Sequence, residues 1–359
     1  MSTQGGEIMI TNFGERLNAA RKMAGMSLDA LALKTGSIVS KQALSKYEKG
    51  RINPGSEVLL ALAKSLDVKV DYFFRSSKIC IGGIEFRKRA HLSKKEEERI
   101  KYQTLEFIQK YLEIEEILNV EPSFKNPVTD THITSFDDIE HAVRDIRQKW
   151  NLGNGPIPHL IEILEDKGFK IFEVESDHMF DGLSGFVENL KIPVIAILEN
   201  ADLVRKRFTV AHELGHLLLD FSSATEAATP EKLCHTFAGA LLLPREIMIE
   251  VLGPQRNQIT VWELKKLKGI YGVSMQAIMA RASHLKIISE NTYRRFNIFV
   301  GTQGWKKSEP GTYEGKEKAN RFKQMVLHAA AEQIISFSKA AELLNLSLDE
   351  FGKEAQVAS

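Results

Sequence analysis

Two histidines with a glutamate between them form the most chemically specific pattern in the sequence. His212 and His216 lie four residues apart, and Glu213 directly follows the first of them. On a helix, residues at this spacing share one face, so both imidazoles can bind one Zn²⁺ ion. Glu213 would then lie beside the metal, where its carboxylate can hold and deprotonate a water molecule. The pattern predicts a zinc-dependent hydrolase with one Zn²⁺ per chain, in which Glu213 is the catalytic residue.

A catalytic zinc site needs a third protein ligand, and two candidates follow the motif. Glu231 lies 15 residues after His216, and His235 lies one helical turn further on the same face. If Glu231 is the ligand, His235 can hydrogen-bond the second ring nitrogen of a ligand histidine. If His235 is the ligand, Glu231 is a surface acid.

The two motif histidines have a simpler interpretation as core residues that bind no metal. They stand in an apolar run that includes Phe208, Val210 and Leu214. Burying histidine and glutamate side chains in such a run is costly unless they have partners. The composition of the run therefore favours a metal site.

The elements that would position this site form an α+β domain over residues 135–290. The motif lies in an apolar helix predicted over 203–221, and a short loop returns a second helix, 231–243, antiparallel to it. Short strands are predicted over 169–174, 182–187 and 194–198. Other helices are predicted over 137–150, 157–167, 262–271 and 274–285.

Four stretches of this domain resemble the ImmA/IrrE family of metallopeptidases. They are RFTVAHELGHLLL (207–219), FAGALLLP (237–244), DGLSG (181–185) and residues 192–198. The resemblance covers about 140–290 and implies a gluzincin-like zinc peptidase. In that family a glutamate ligand stands four residues before an Asn, Asp or His, as Glu231 does before His235. The resemblance therefore favours Glu231 as the third ligand and His235 as its neighbour behind the ligands.

The N-terminal part of the chain has the composition of a small DNA-binding domain. Residues 11–75 hold 11 lysines and arginines against 6 acids, an excess of +5 in a chain of net charge +1. Short helices with Ser27 and Ser40 as N-caps are predicted there, which a protein-binding helical bundle would also show. The stretches SLDALA (27–32) and SKQALSKYEKG (40–50) resemble the lambda-repressor-like, or Xre-type, helix-turn-helix.

That resemblance implies a recognition helix over 41–47 that enters the major groove of DNA. Lys41, Gln42, Ser45 and Lys46 are then the candidates for base contacts, and Lys49 and Arg51 for phosphate contacts. A single unit of this kind binds weakly, so a homodimer on a two-fold operator is expected.

The sequence thus predicts a mainly α protein with a small β-sheet, organised in four parts. Residues 9–75 are the five-helix-type helix-turn-helix bundle, 76–134 a connector with a long helix, 135–290 the peptidase domain and 291–359 a helical C-terminal region. No signal peptide is visible, two cysteines suggest no disulfide framework, and no apolar run is long enough to span a bilayer. A cytoplasmic protein without a membrane partner is expected.

Two functions are compatible with these patterns. The first is a DNA-binding regulator with a zinc endopeptidase domain that cleaves a repressor-type protein in a stress or mobile-element response, as the family resemblance implies. The second is a non-proteolytic, antitoxin-like Xre-family regulator whose zinc domain serves sensing or partner binding.

Overall fold

The fold is known from a computed structural model. It describes residues 13–75, 84–86 (backbone only), 93–121, 123–129, 132–176, 180, 182–187, 190–221, 229–306 and 308–355. The packing divides the chain into two compact units. The first holds the described residues of 1–121, 186–191 and 322–359, and the second those of 122–185 and 192–321.

The first unit begins with a bundle of short helices. They are α1 (Phe13–Met23), α2 (Leu28–Lys34), α3 (Lys41–Glu48) and α4 (Ser56–Leu66), followed by a 3₁₀ turn, Val70–Phe74. The two serines predicted as N-caps have that role: Ser27 accepts a hydrogen bond from the Ala30 amide and Ser40 from the Ala43 amide. These bonds satisfy amides that a helix start leaves without an intrahelical partner.

One long helix, α5 (Lys94–Ile117), packs against both α1 and the C-terminal helices of this unit. Towards α1, Arg16 donates hydrogen bonds to Glu106 at 3.3 Å and Gln109 at 3.0 Å. The last turns of α5 pack with the C-terminal helices in one apolar cluster, in which Ile114 and Phe351 are fully buried. Those helices are α14 (Arg321–Ala331), α15 (Phe337–Leu343) and α16 (Leu348–Glu354). The unit also contains a short strand, β1 (Ile84–Phe86).

The second unit combines a small sheet with helices. Its strands are β2 (Lys170–Val174), β4 (Ile192–Leu198) and, as far as Gly185, β3 (Gly182–Val187), in the order β3-β4-β2. Strands β2 and β4 are parallel, with Lys170 opposite Val194 and Val174 opposite Leu198. Its helices are α6 (Phe136–Lys149), α7 (Leu160–Asp166), α8 (Leu203–Leu218), α9 (Pro230–Leu242), α10 (Arg245–Leu252), α11 (Val261–Tyr271), α12 (Met275–His284) and α13 (Glu290–Thr302).

The predicted class, mainly α with a small β-sheet, is confirmed. The limits predicted for the four domains stay predictions, although the packing assigns the two parts of residues 291–359 on either side of Arg321 to different units. Within the described part of the chain, no helix is both long and apolar enough to cross a membrane.

A non-helical segment, residues 308–320, is fastened to the second unit by buried acids. The Glu165 carboxylate accepts hydrogen bonds from the amides of Asn320 and Arg321, and Glu173 accepts one from the amide of Ala319. Because burial disfavours the charged carboxylate, the pKa of Glu165 is raised to about 7. The acid that holds this segment is therefore only partly ionised at neutral pH.

This shift predicts a pH-dependent stability that Glu165→Gln removes. The folded state holds the Glu165 proton up to about pH 7, and the unfolded chain releases it near 4.5. The folded state therefore binds more protons in this window, and the wild type loses stability relative to the variant as pH rises. We expect a relative loss of roughly 2 kcal/mol between pH 5 and pH 8 in urea unfolding. Glu162→Gln, on the exposed side of the same helix, is the control; an unchanged pH profile in Glu165→Gln would contradict this assignment.

Candidate metal centre and DNA-binding surface

The three motif residues lie on helix α8, and their side chains are buried. Its N-cap, Asp202, accepts hydrogen bonds from the amides of Val204 and Arg205 and so fixes where the helix begins. His212, Glu213 and His216 are between 1% and 4% exposed. Their apolar neighbours on the helix are also buried, so the polar groups share an interior site.

Helix α9 brings Glu231 to the two histidines. Pro230 is the first residue of this helix and Glu231 the second, which places the carboxylate at the helix start. One oxygen, Oε2, lies 3.2 Å from His212 Nε2, and the other, Oε1, lies 3.2 Å from His216 Nε2. The two imidazole Nε2 atoms are 3.1 Å apart.

This arrangement fits a zinc ion. Zinc binds imidazole nitrogen and carboxylate oxygen at about 2.0–2.2 Å in tetrahedral geometry, which separates neighbouring ligand atoms by about 3.3 Å. The observed separations of 3.1 and 3.2 Å are close to this value. The ligand atoms of His212, His216 and Glu231 all lie within 4.8 Å of one another. Because the donor set is two imidazoles and one carboxylate, it matches that of catalytic zinc sites.

Glu213 lies beside this group but is held from another direction. The Ser184 hydroxyl on β3 donates a 2.7 Å hydrogen bond to Glu213 Oε2. Gly182, two residues earlier on β3, is so close that an added Cβ would lie 2.9 Å from Glu213 Oε1. The sheet and the motif helix are therefore in direct contact at the proposed catalytic carboxylate.

The surface of α3 has the character expected of a DNA-reading helix. Leu44 and Tyr47 are buried in the bundle, and Ser45 is half-buried. The other predicted contact residues are exposed: Lys41, Gln42, Lys46, Lys49 and Arg51. Lys41 is paired with exposed Asp29 of α2, with Nζ and Oδ2 at 2.7 Å. Four cationic side chains and one amide are thus exposed on α3 and in the residues that directly follow it.

The turn between α2 and α3 is six residues long. Gly36 and Ser37 both adopt positive φ values, 69° and 61°. Glycine takes this conformation at little cost, whereas for serine it is uncommon. The turn reverses the chain while Val39 remains buried in the bundle.

Comparison with known families gives two matches, one in each part of the chain that was predicted to be functional. Residues 164–283 match the IrrE N-terminal-like domain of a peptidase family. Residues 17–73 match a helix-turn-helix family. The chain carries both domains. A search of curated proteins found no match. The predicted fusion of an Xre-like helix-turn-helix with an ImmA/IrrE-like domain is confirmed.

In the IrrE-like domain, His235 lies against the proposed ligands. Its ring centroid is 4.5 Å from that of His212 and 5.9 Å from that of Phe208, on which it stacks. Elsewhere in the second unit, the ring centroids of His284 and Phe136 are 4.7 Å apart, and burial lowers the pKa of His284. His178 lies outside the described residues. The role of His235 in orienting a ligand imidazole stays a prediction.

One buried ion pair of helix α8 was not predicted from the sequence. Arg207, five residues before His212, pairs with Glu317 of the 308–320 segment, and their side chains are at most 1% exposed. Arg207 also donates to the carbonyl oxygens of Ile157 and Tyr271 at 2.8 and 3.2 Å. Glu317 accepts hydrogen bonds from the first two amides of α7. The motif helix is therefore fixed to a segment that lies beyond the matched family region.

The glycine that follows Tyr271 makes room for this arginine. A Cβ on Gly272 would lie 2.6 Å from Arg207 Nε, and its φ of 61° is in the left-handed region. Both constraints require glycine at this position. No local sequence signal marks Arg207, because it directly follows Arg205 and Lys206 near the start of the helix.

Removing the charge of Glu317 should strongly destabilise the IrrE-like domain. Glu317→Gln leaves the Arg207 guanidinium buried without its counter-ion, a change that typically costs roughly 3–5 kcal/mol. Asp166→Ala is the matched control, because it removes the exposed ion pair with Arg321, whose loss costs less than about 1 kcal/mol. Urea unfolding measures both. Equal effects of the two variants would show that the buried pair does not stabilise this domain.

Proposed function

We propose that this protein is a DNA-binding transcriptional regulator whose IrrE-like domain is a zinc-dependent endopeptidase. The observation that carries this proposal is the group formed by His212, His216 and Glu231, with the buried Glu213 carboxylate next to it. A helix-turn-helix domain on the same chain supports a regulatory role. The substrate class we propose is a repressor-type protein, and the context a stress or mobile-element response.

The proposed roles of the residues follow from their chemistry. His212, His216 and Glu231 hold the metal, and a bound zinc ion supplies Lewis acidity towards a peptide carbonyl and towards water. Glu213 takes a proton from the attacking water on its carboxylate and passes it to the leaving amine. His235 orients the His212 ring against which it lies.

The same three ligands also suit a protein that only senses a metal. A regulator without peptidase activity is therefore the second candidate. The two candidates differ in the role of Glu213. The peptidase needs its carboxylate for proton transfer, and the non-proteolytic regulator does not.

Glu213→Gln separates these two candidates. We expect the full-length variant to bind one zinc ion per chain, as the wild type does, and to lose peptide hydrolysis by a factor of roughly 10²–10⁴. His216→Ala is the companion variant and is expected to lose zinc, because it removes a ligand. Elemental analysis measures the metal, and cleavage is followed on purified repressor proteins with an Xre-type domain.

Two results would decide against the peptidase. A wild-type protein that cannot be loaded with zinc eliminates the metal site itself. Zinc binding in the wild type without cleavage of any repressor tested, and with DNA binding unchanged in Glu213→Gln, identifies the non-proteolytic regulator.

The helix-turn-helix domain makes a separate prediction about DNA. Gln42→Ala should weaken binding to a selected operator by about 1–3 kcal/mol and relax the base preference at one position. Lys49→Ala should weaken binding to all sequences and reduce the salt dependence by about one phosphate contact. Lys64→Ala, an exposed lysine on α4, is the control. Fluorescence anisotropy over a salt series measures all three, and indistinguishable Gln42→Ala and Lys64→Ala proteins would exclude α3 as the reading helix.

A further inference from the structure

Strand β3 meets the motif helix α8 at the carboxylate of Glu213. Ser184 Oγ and Glu213 Oε2 are 2.7 Å apart, and both residues are 1% exposed. A hydroxyl that donates to an ionised carboxylate at this distance makes a strong, charge-assisted hydrogen bond. It is a contact between residues 29 positions apart in the chain.

The backbone of β3 completes the contact. Gly182 and Ser184 lie on the same face of the strand, because side chains alternate along it. A Cβ on Gly182 would lie 2.7 Å from Thr209 Cγ2 and 2.9 Å from Glu213 Oε1. The absence of a side chain at Gly182 therefore permits the close approach on which the Ser184 hydrogen bond depends.

The two contacts restrict how the carboxylate can turn. A glutamate side chain has three rotatable torsions, and its terminal torsion is broad and weakly determined. Here Oε2 is engaged by the Ser184 hydroxyl and Oε1 lies against the Gly182 backbone. A general base is effective only when it lies within hydrogen-bond reach of the proton that it takes. The orientation of this carboxylate is thus part of the site's chemistry.

We propose that Ser184 is a positioning residue for Glu213, and that Gly182 is required because it lets Ser184 approach. This inference rests on the proposed peptidase function. Ser184 does not bind the metal or the substrate in this proposal; it acts only through the Glu213 carboxylate. Replacing Ser184 should therefore weaken proton transfer to the Glu213 carboxylate and leave metal binding unchanged.

The test uses the full-length, zinc-loaded protein and acetohydroxamic acid as the probe. This small molecule offers two oxygens to a metal and a proton that a neighbouring carboxylate can accept, so its affinity reports where Glu213 points. Ser184→Ala should weaken its binding about tenfold to a hundredfold, because one charged hydrogen bond is lost. Zinc affinity, measured by competition with a chelator, should stay at the wild-type value.

Rescue and control variants distinguish positioning from general stability. Ser184→Thr keeps a hydroxyl and should restore binding of the probe. Thr236→Val removes a buried hydroxyl of α9 that bonds the Lys232 carbonyl oxygen, and should leave binding of the probe unchanged. Glu213→Gln gives the affinity for the probe that is expected when the carboxylate itself is lost. If Ser184→Ala does not fold, Ser184→Cys, with a weak donor of similar size, takes its place.

The outcomes separate this inference from the function on which it rests. Wild-type affinity for the probe in Ser184→Ala, with weakened affinity in Glu213→Gln, overturns the role of Ser184 and leaves the metal site intact. A wild-type protein that binds no zinc overturns both. Weakened binding in Ser184→Ala and Glu213→Gln, with normal zinc affinity and recovery in Ser184→Thr, establishes the positioning role.

Discussion

The close packing of α8 against α9 is the constraint on which the candidate metal centre depends. Gly215, in the middle of the motif, faces α9: a Cβ there would lie 3.0 Å from Phe237 Cδ1 and 3.3 Å from Cys234 Sγ. Alanine at this position would force these side chains to shift by a few tenths of an ångström, and larger residues would push the two helices apart. Because two ligands come from one helix and the third from the other, their separation would open the group of donor atoms. The glycine within the motif is thus a packing requirement of the site.

The helix-turn-helix domain is supported in a comparable way by its own unit. Helix α1 has one side against α5, where Arg16 reaches Glu106 and Gln109. Helix α3 is not used in these contacts, and its Lys41, Gln42 and Lys46 side chains are exposed. The bundle is therefore supported by its core and by the α1–α5 contacts. Neither uses the exposed side chains of α3 that are predicted to contact DNA.

Local features of both sites could be predicted from sequence, because neighbouring residues determine them. The histidine spacing, the apolar helix around it and the serine N-caps of α2 and α3 all depend on a few adjacent positions. The helix α16 was missed although its start carries a recognisable signal, since Ser347 and Glu350 form a capping box. Helices α10 and α13 were not predicted individually either, although their buried residues recur at helical spacing: Met248 and Leu252 in α10, and Phe296 and Val300 in α13.

The contacts that hold the motif helix in place could not be predicted in this way. Ser184 and Glu213 are 29 residues apart, and Arg207 and Glu317 are 110 apart. No local pattern specifies which distant acid meets a buried arginine. The resemblance to a family favoured Glu231 over His235 as the third ligand, but it ended near residue 290 and gave no sign that Glu317 belongs to the same unit. Tertiary structure was needed for these two contacts.

The distance between Arg207 and Glu317 also affects how the protein is made. A ribosome adds about 5–20 residues per second, so the partner of Arg207 is synthesised roughly 5–20 seconds later. Until then the motif helix carries a guanidinium whose buried counter-ion does not yet exist. The IrrE-like domain can therefore reach its final form only after Glu317 has been synthesised, when most of its other elements have already left the ribosome. During synthesis, the nascent chain passes through a stage at which the bundle that includes α3 is complete and the candidate metal centre is not.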